Sequence, residues 1–434
     1  MKNFHPIWRL AYNAAIIPSL YLSLQVARLF NKKVQAGIKE REGLFERLEE
    51  IRRQIPENHS VIVIHCASAG EFEAARPLLD AFRKKISNAW LHVTFYSPSG
   101  SKPISKAAEV DSYSYLPFDA FFAAKRFFDI LNPAAFIIVK HDIWPNLIWE
   151  AQRRSIPSFW INANLHRRTR RLSWFGKGLN RSFLKALTGV LTVDDEHAIR
   201  FSELISPTNI DVLGDSRYDR TLQRMQSARE KAGSILADGS LAGKKVIVAG
   251  STWGPDHRII IPAYAALKKK YPDLFLILVP HEPHESFLSE TTQYLRGYGL
   301  NPIRYSQLSG GLSHVDVLVI DKIGILAVLY QYAWIAYVGG AFGDGVHSVL
   351  EPAVYGIPVF FGPEYYMAQE AISLVQRQGG HSVTSSTEFE RFLDSYLKDK
   401  NIHQTDADNS QRLVDRGLGA TERIVNYIGD YLRK

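Results

Sequence analysis

Two successive series of short, uniformly apolar runs separated by helical patterns constrain this chain more than any other feature. Residues 61–65, 91–96, 135–139, 159–162 and 189–193 form the first series, and 245–249, 274–279, 317–320, 335–338 and 359–361 the second. Apolar runs of this length are the pattern of strands buried on both faces of a parallel sheet. The intervening segments are long enough for crossover helices. Two such alternations predict an α/β chain of two doubly wound, Rossmann-like domains, and 434 residues is the length of two cores rather than one. The boundaries are set at 1–35 for an N-terminal hydrophobic helix, 36–222 for the first domain and 223–434 for the second. Residues 223–243 are polar and strand-poor, which marks the junction. Residues 39–53 read as one charged surface helix. The tail, 411–434, reads as helical and is expected to pack back on the first domain. A ligand is expected in the cleft, at the carboxyl ends of the strands.

Residues 10–27 (LAYNAAIIPSLYLSLQVA) carry no charge, with Lys2 and Arg9 before them and Arg28, Lys32 and Lys33 after. A spanning helix needs about 20 predominantly apolar residues, and Asn13, Pro18, Ser19, Ser23 and Gln25 dilute this one. It reads either as a buried helix or, preferred here, as a membrane anchor that spans or lies in the interface. No signal-peptide cleavage pattern follows it. A formal charge of +8 favours an acidic partner. The single cysteine, Cys66, excludes an intramolecular disulfide and a cysteine-based zinc cluster. The basic run His166 to Arg171 fits a patch for membrane phosphates better than nucleic-acid binding, since no aromatic-interleaved RNA motif or zinc finger accompanies it; solvated surface is the plain alternative.

Candidate chemistry lies at predicted strand ends. After 337–340, a loop carries Gly343, Asp344 and Gly345, then His347, Ser348 and Glu351. Amides opening a helix there can hold an anion, and Glu351, about one turn on, can accept from ribose hydroxyls. Ser251 and Thr252 can donate to a phosphate or sugar or cap a helix, the commoner role. Asp321 to Gly324 can present backbone groups to a base. In the first half, small residues from Ala67 to Gly70 let the chain approach a ligand. Glu71 then either complements a helix dipole or removes a proton from an acceptor hydroxyl. Lys140, His141 and Asp142 gather three ionisable groups after the 135–139 run, without the spacing of a helical zinc pair.

At these residues the chain resembles the Kdo transferases, enzymes that transfer 3-deoxy-D-manno-octulosonic acid (Kdo) to a lipid A precursor. His65 to Glu71 resembles the family's H-x-x-S-x-G-E segment, Tyr96 to Gly100 its T-P-T-G turn, and Leu116 to Asp119 its L-P-Y-D. Trp144 to Leu147 matches W-P-N-L, and Asn162 to Leu165 is similar to N-A-R-L. Gly214 to Asp219 resembles G-S-L-K-F-D, Asp321 to Gly324 D-T-M-G, and Gly345 to Pro352 G-G-H-N-P-L-E-P. The resemblance implies a GT-B fold and an inverting, metal-independent transfer from CMP-Kdo to lipid IVA, without a cofactor, at the cytoplasmic face of the inner membrane. The implied partners are CMP-Kdo, the lipid A precursor and an anionic membrane surface, with no role for nucleic acid. Glu71 is then the general base. Ser251, Thr252 and the amides from Gly345 to Ser348 receive the CMP phosphate, Glu351 holds the ribose, and Asp321, Ile323 and Gly324 line the cytidine. His281 and His347 join the donor site. Ser68, Gly70, Lys140, Asp142 and Arg217 are candidates for the acceptor or the Kdo carboxylate. The family's E-T-E is here Lys140-His141-Asp142, and its P-R-H-P is Pro280-His281-Glu282-Pro283. A GT-B enzyme with a different nucleotide sugar or acceptor is therefore the second reading.

Overall fold

The computed structural model describes residues 5–433 apart from 166–168, 170–172, 231–234, 238 and 309–310. The chain divides into two compact units, one of Met1–Arg220 with Leu418–Lys434, the other of Thr221–Gly417. The basic run from His166 lies almost wholly outside the described residues.

The first unit holds seven strands: β1 Ser60–His65, β2 Ala89–Phe95, β3 Ser112–Tyr115, β4 Ala135–Val139, β5 Ser158–Ala163, β6 Gly189–Thr192 and β7 Ile210–Val212. Their order is β3-β2-β1-β4-β5-β6-β7, and every pairing is parallel. Ile62, Val63, Ile64, Ile137 and Ile161 are fully or almost fully buried, because crossover helices cover both faces. The final helix, Ala420–Leu432, belongs to this core: Ile424, Val425 and Ile428 pack into it. Its first turn is capped from a distance, with Asp219 accepting from the amides of Gly419 and Thr421 at 2.7 Å each.

The second unit repeats the plan with β8 Lys245–Thr252, β9 Leu274–Pro280, β10 Pro302–Arg304, β11 Val317–Val319, β12 Ile335–Val338, β13 Val359–Phe361 and β14 Gly380–Ser382. Their order is β10-β11-β9-β8-β12-β13-β14, again all parallel. The fold is thus two Rossmann-like doubly wound units of the GT-B class, preceded by an apolar helix. In each sheet the winding reverses once, between β1 and β4 and between β8 and β12. Such a reversal point, outside the strand ends, is where open α/β sheets hold their ligands.

Two local expectations are corrected. The 39–53 segment is not one helix. The helix Lys32–Lys39 ends, Gly43 takes φ +66°, and a second helix, Leu44–Gln54, begins. A left-handed residue cannot continue a right-handed helix. The 411–434 pattern is likewise broken at Gly419, φ +79°, between Lys400–Gly417 and Ala420–Leu432. The N-terminal segment is helical from His5 to Ala27, with a π turn over Tyr12–Ile16. Pro18 follows this turn and has no N–H to donate, a cause of local departure from α geometry.

Candidate active site

In the first unit the reversal point brings the loop after β1 against the loop after β4. Ser68 is the last extended residue, φ −141°, before the helix Ala69–Lys85. Glu71 therefore falls in that helix's first turn. Its side chain is buried, and its Oε2 meets no hydrogen-bond partner among the described residues. Backbone groups of Ala67 and His141 hydrogen-bond the carboxylate, and His141 Nδ1 lies 3.8 Å from Oε1. Burial raises the Glu71 carboxyl above the ordinary glutamate value. His65 opposes this, Asp142 reinforces it, and the two backbone groups offset part of the rise. A carboxylate destabilised by burial is a stronger base than an exposed one. The Cys66 thiol beside it is also driven up, by burial and then by the charge of Glu71, and is inert as a nucleophile.

Asp142 is fixed by two contacts. Its Oδ2 accepts from Trp144 Nε1 at 3.0 Å and lies 3.3 Å from His65 Nε2. Trp144 stacks on Tyr96 at 4.8 Å. His65 is fully buried, and its other ring nitrogen meets Thr94 Oγ1 at 3.0 Å. Lys140 carries φ +68°. Burial would raise Asp215, but Arg217 and then the charge of Lys140 hold it below the ordinary aspartate value. Arg217 is committed to Asp215 through its amide at 2.9 Å, Nε at 2.8 Å and Nη2 at 2.7 Å. Gly70 is exposed at the helix start.

In the second unit a cavity of about 340 Å³ lies over the carboxyl ends of β8, β9 and β12, walled by Trp253, Asp256, His281, His347 and the glycine loop from Gly340 to Gly345. Pairing of β8 with β9 shifts register after Gly250, where Ser251 takes φ +53°. Buried Asp256 ties the loops together: it accepts from the amides of Trp253 at 2.8 Å and Gly340 at 3.2 Å and from the Tyr337 hydroxyl at 3.1 Å. His281 and His347 stack at 4.3 Å, 9° apart, and Trp253 Nε1 donates to His347 Nε2 at 3.3 Å. Burial, then the neighbouring His281, lower the His347 pKa, so at neutral pH this ring accepts from the indole.

Four donor-side expectations need correction or refinement. The Thr252 hydroxyl does not face the cavity; it is fully buried and bonded to His257 Nε2 at 2.9 Å. Neither Ser251 nor Thr252 caps the following helix: Trp253 holds the N-cap position, and Asp256 accepts from its amide. The amides of Gly345, Val346 and His347 are occupied by the carbonyls of Gly340, Glu364 and Gly339 at 3.3, 3.0 and 3.2 Å. Among the described residues no carbonyl accepts from the Ser348 amide, and Ser348 is exposed where Val349 is fully buried, so the Ser348 amide is the one open to an anion. Glu351 stands in the first turn of a four-residue helix, Leu350–Ala353, where its Oε1 accepts from Arg224 Nη1 at 2.8 Å; a ribose there would share the carboxylate with that guanidinium. The loop after β11 is surface: Asp321 accepts from the Ser306 amide at 3.0 Å, Ile323 is 81% exposed, and Gly324 takes φ +91°. Sequence reasoning missed Asp256 and Trp253. An acidic residue three positions after a strand-end tryptophan is a helix-start signal, and it could have found the first of them.

Residues 38–220 match the family model described as 3-deoxy-D-manno-octulosonic-acid transferase (kdotransferase). A 3-deoxy-D-manno-octulosonic acid transferase of Haemophilus influenzae is 28% identical over 379 residues, 86% of this chain and 87% of the relative. One from Rickettsia bellii is 25% identical over 423 residues, 96% of each chain. Among solved structures, the UDP-GlcNAc 2-epimerase of Neisseria meningitidis bound to UDP-GlcNAc superposes with a TM-score of 0.59 at 15% identity, covering 83% of this chain and 99% of the epimerase. That likeness is one of fold.

Proposed function

We propose that the chain is a glycosyltransferase of the Kdo transferase type that moves Kdo from CMP-Kdo to a lipid A precursor with inversion, at the cytoplasmic face of the inner membrane. In this reading Glu71 takes the proton of the attacking sugar hydroxyl. The hydroxyl oxygen bonds to the anomeric carbon of Kdo as the bond from that carbon to phosphate breaks, and the electron pair leaves on CMP. The leaving group is a phosphate monoester, so its charge needs electrostatic support more than a proton. Ser251 and the amide of Ser348 supply that support, with His281 and His347 forming one wall. Glu351 and Arg224 meet the ribose, and the surface loop Asp321 to Gly324 meets the cytosine. Ser68, Gly70, Lys140, Asp142 and Arg217 border the acceptor or the Kdo carboxylate. No step requires a metal or cofactor.

The observation that carries this reading is the buried Glu71 carboxyl, with one oxygen unpartnered among the described residues, at the reversal point of its sheet. The test is incubation of the purified chain with CMP-Kdo and lipid IVA, read as a mass shift of the lipid. A shift by whole Kdo units supports the proposal. An unshifted lipid, with transfer from another nucleotide sugar instead, would replace it by the second reading, which the Lys140-His141-Asp142 and His281-Glu282 sequences favour.

A further inference from the structure

The helix Ile7–Ala27 is long and apolar enough to cross a bilayer, yet its first half is held on the first unit, while its second half, Ile17–Ala27, buries no residue. Near its start, Tyr12 donates to Asp119 Oδ2 at 2.9 Å, and Asn13 exchanges amide hydrogen bonds with Asn146 at 2.9 Å. The Arg9 guanidinium lies 4.9 Å from the Phe121 ring. The Trp8 ring fills the space beside Gly178, leaving no room for a Cβ there. Midway, Ile17 packs against the unit's core. Leu24 in its last turn and, beyond it, residues of the segment Asn31 to Arg41 border a cavity of about 200 Å³ with Tyr96 and Phe118. Arg41 then donates to the carbonyls of Leu116 at 2.9 Å and Tyr96 at 3.0 Å. A helix of 21 residues is about 30 Å long, roughly the thickness of a hydrocarbon core. Were it upright in a bilayer, one end would stand that far from the unit.

The opposite face is open and apolar. Leu10 is 71% exposed, Leu22 66% and Phe30 86%, with Tyr21, Val26 and Leu29 also exposed. The hydroxyls of Ser19 and Ser23 are spent inside the helix, on the carbonyls of Ala15 at 2.7 Å and Ser19 at 2.8 Å. No charge interrupts residues 10–27, while Arg28, Lys32 and Lys33 at one end are exposed and complement anionic headgroups. We propose that this helix lies flat in one leaflet of the membrane, its inner stripe bound to the first unit and its outer stripe in lipid, and that it does not cross. The proposal rests on the membrane partner of the function proposed above and not on the transfer chemistry.

The full chain, with an environment-sensitive fluorophore on Leu10→Cys or Leu22→Cys, is bound to vesicles of phosphatidylethanolamine with a minority of phosphatidylglycerol. Fluorophore depth is then read with lipids carrying quenchers at graded positions. The native Cys66 is buried and takes no label. A flat helix gives both labels the same shallow depth, within about 5 Å. An upright helix separates them by about 18 Å, at 1.5 Å per residue, and would overturn the proposal; so would labels that no lipid quencher reaches. The pair Ile7→Cys and Val26→Cys repeats the measurement with a larger lever, about 28 Å upright against none when flat. Transfer assayed in the same samples separates the ideas: equal shallow depths without Kdo transfer would sink the enzymatic reading and leave the flat helix standing.

Discussion

Gly340 is the residue whose alteration best tests the proposed donor site. It takes φ +95°, and a Cβ there would stand 2.6 Å from the Gly345 carbonyl oxygen and 2.8 and 3.0 Å from atoms of the His347 ring. Ordinary carbon contacts lie at about 3.5–4.0 Å, so in Gly340→Ala the loop backbone and the histidine must retreat by on the order of 1 Å. Left-handed backbone costs a non-glycine residue about 1–2 kcal/mol, and overpacking about 1–3 kcal/mol. The second unit should therefore lose about 2–5 kcal/mol, a fall of about 5–20 °C in its melting temperature. Because Gly340 also gives its amide to Asp256, the shift carries His347 off its stack with His281. A misplacement of about 1 Å can cost 10²-fold, so CMP-Kdo binding measured by calorimetry should weaken by about 10–100-fold. Gly343→Ala is the control: a Cβ there meets only the Gly340 carbonyl oxygen, at 3.8 Å, and binding should stay near the parent value. Unchanged affinity in Gly340→Ala at a temperature where the protein is folded would refute the placement of the donor on this loop.

Four further outcomes are expected. Glu71→Gln should bind donor normally and lose about 10²–10⁴ in kcat. Because burial and then Asp142 raise the Glu71 carboxyl while His65 opposes, the acid limb of the parent's rate profile should sit above the ordinary glutamate value and move to lower pH in Asp142→Asn; a limb that stays put in Asp142→Asn would exclude that electrostatic link. Burial raises Asp119 from 3.8 to about 7, so the unfolded chain releases this proton first as pH rises. Its share of stability is full below about pH 4 and lost as pH rises through about 7, so the melting temperature of the parent should fall relative to Asp119→Asn across that window, and parallel curves would count against it. Lys140→Met should weaken donor binding if Lys140 serves the Kdo carboxylate, and an unchanged donor KM would remove that role.

The central strands were legible because residues buried on both faces must be apolar throughout, as in β4 and β9. The edge strands were not. β3 (SYSY), β10 (PIR) and β14 (GHS) have one wet side or few residues, and their pairing comes from the neighbour rather than from their own composition. Glu71 was legible because small residues before an acidic first turn announce a helix start. Its environment was not, since His65 and Asp142 are 77 positions apart and only the strand order brings them together. The glycine loop misled in a particular way. Glycines reveal that amides are sterically free to approach a ligand, yet Gly345, Val346 and His347 give theirs to carbonyls of Gly340, Glu364 and Gly339, partners that no local pattern reveals. The Thr252 hydroxyl failed as an expectation for the same reason, since its partner, the His257 ring, is set by how the following helix packs.

The two hydrogen bonds from Asp219 to Gly419 and Thr421 bear on how this protein is made. They join residues 200 and 202 positions apart, so the first unit is a polypeptide interrupted by an entire second body. During synthesis its sheet emerges before Ile424 and Ile428, which pack into the same core and follow only after the whole second unit. Loss of the helix Ala420–Leu432 would thus injure a unit whose sheet lies wholly before the second one.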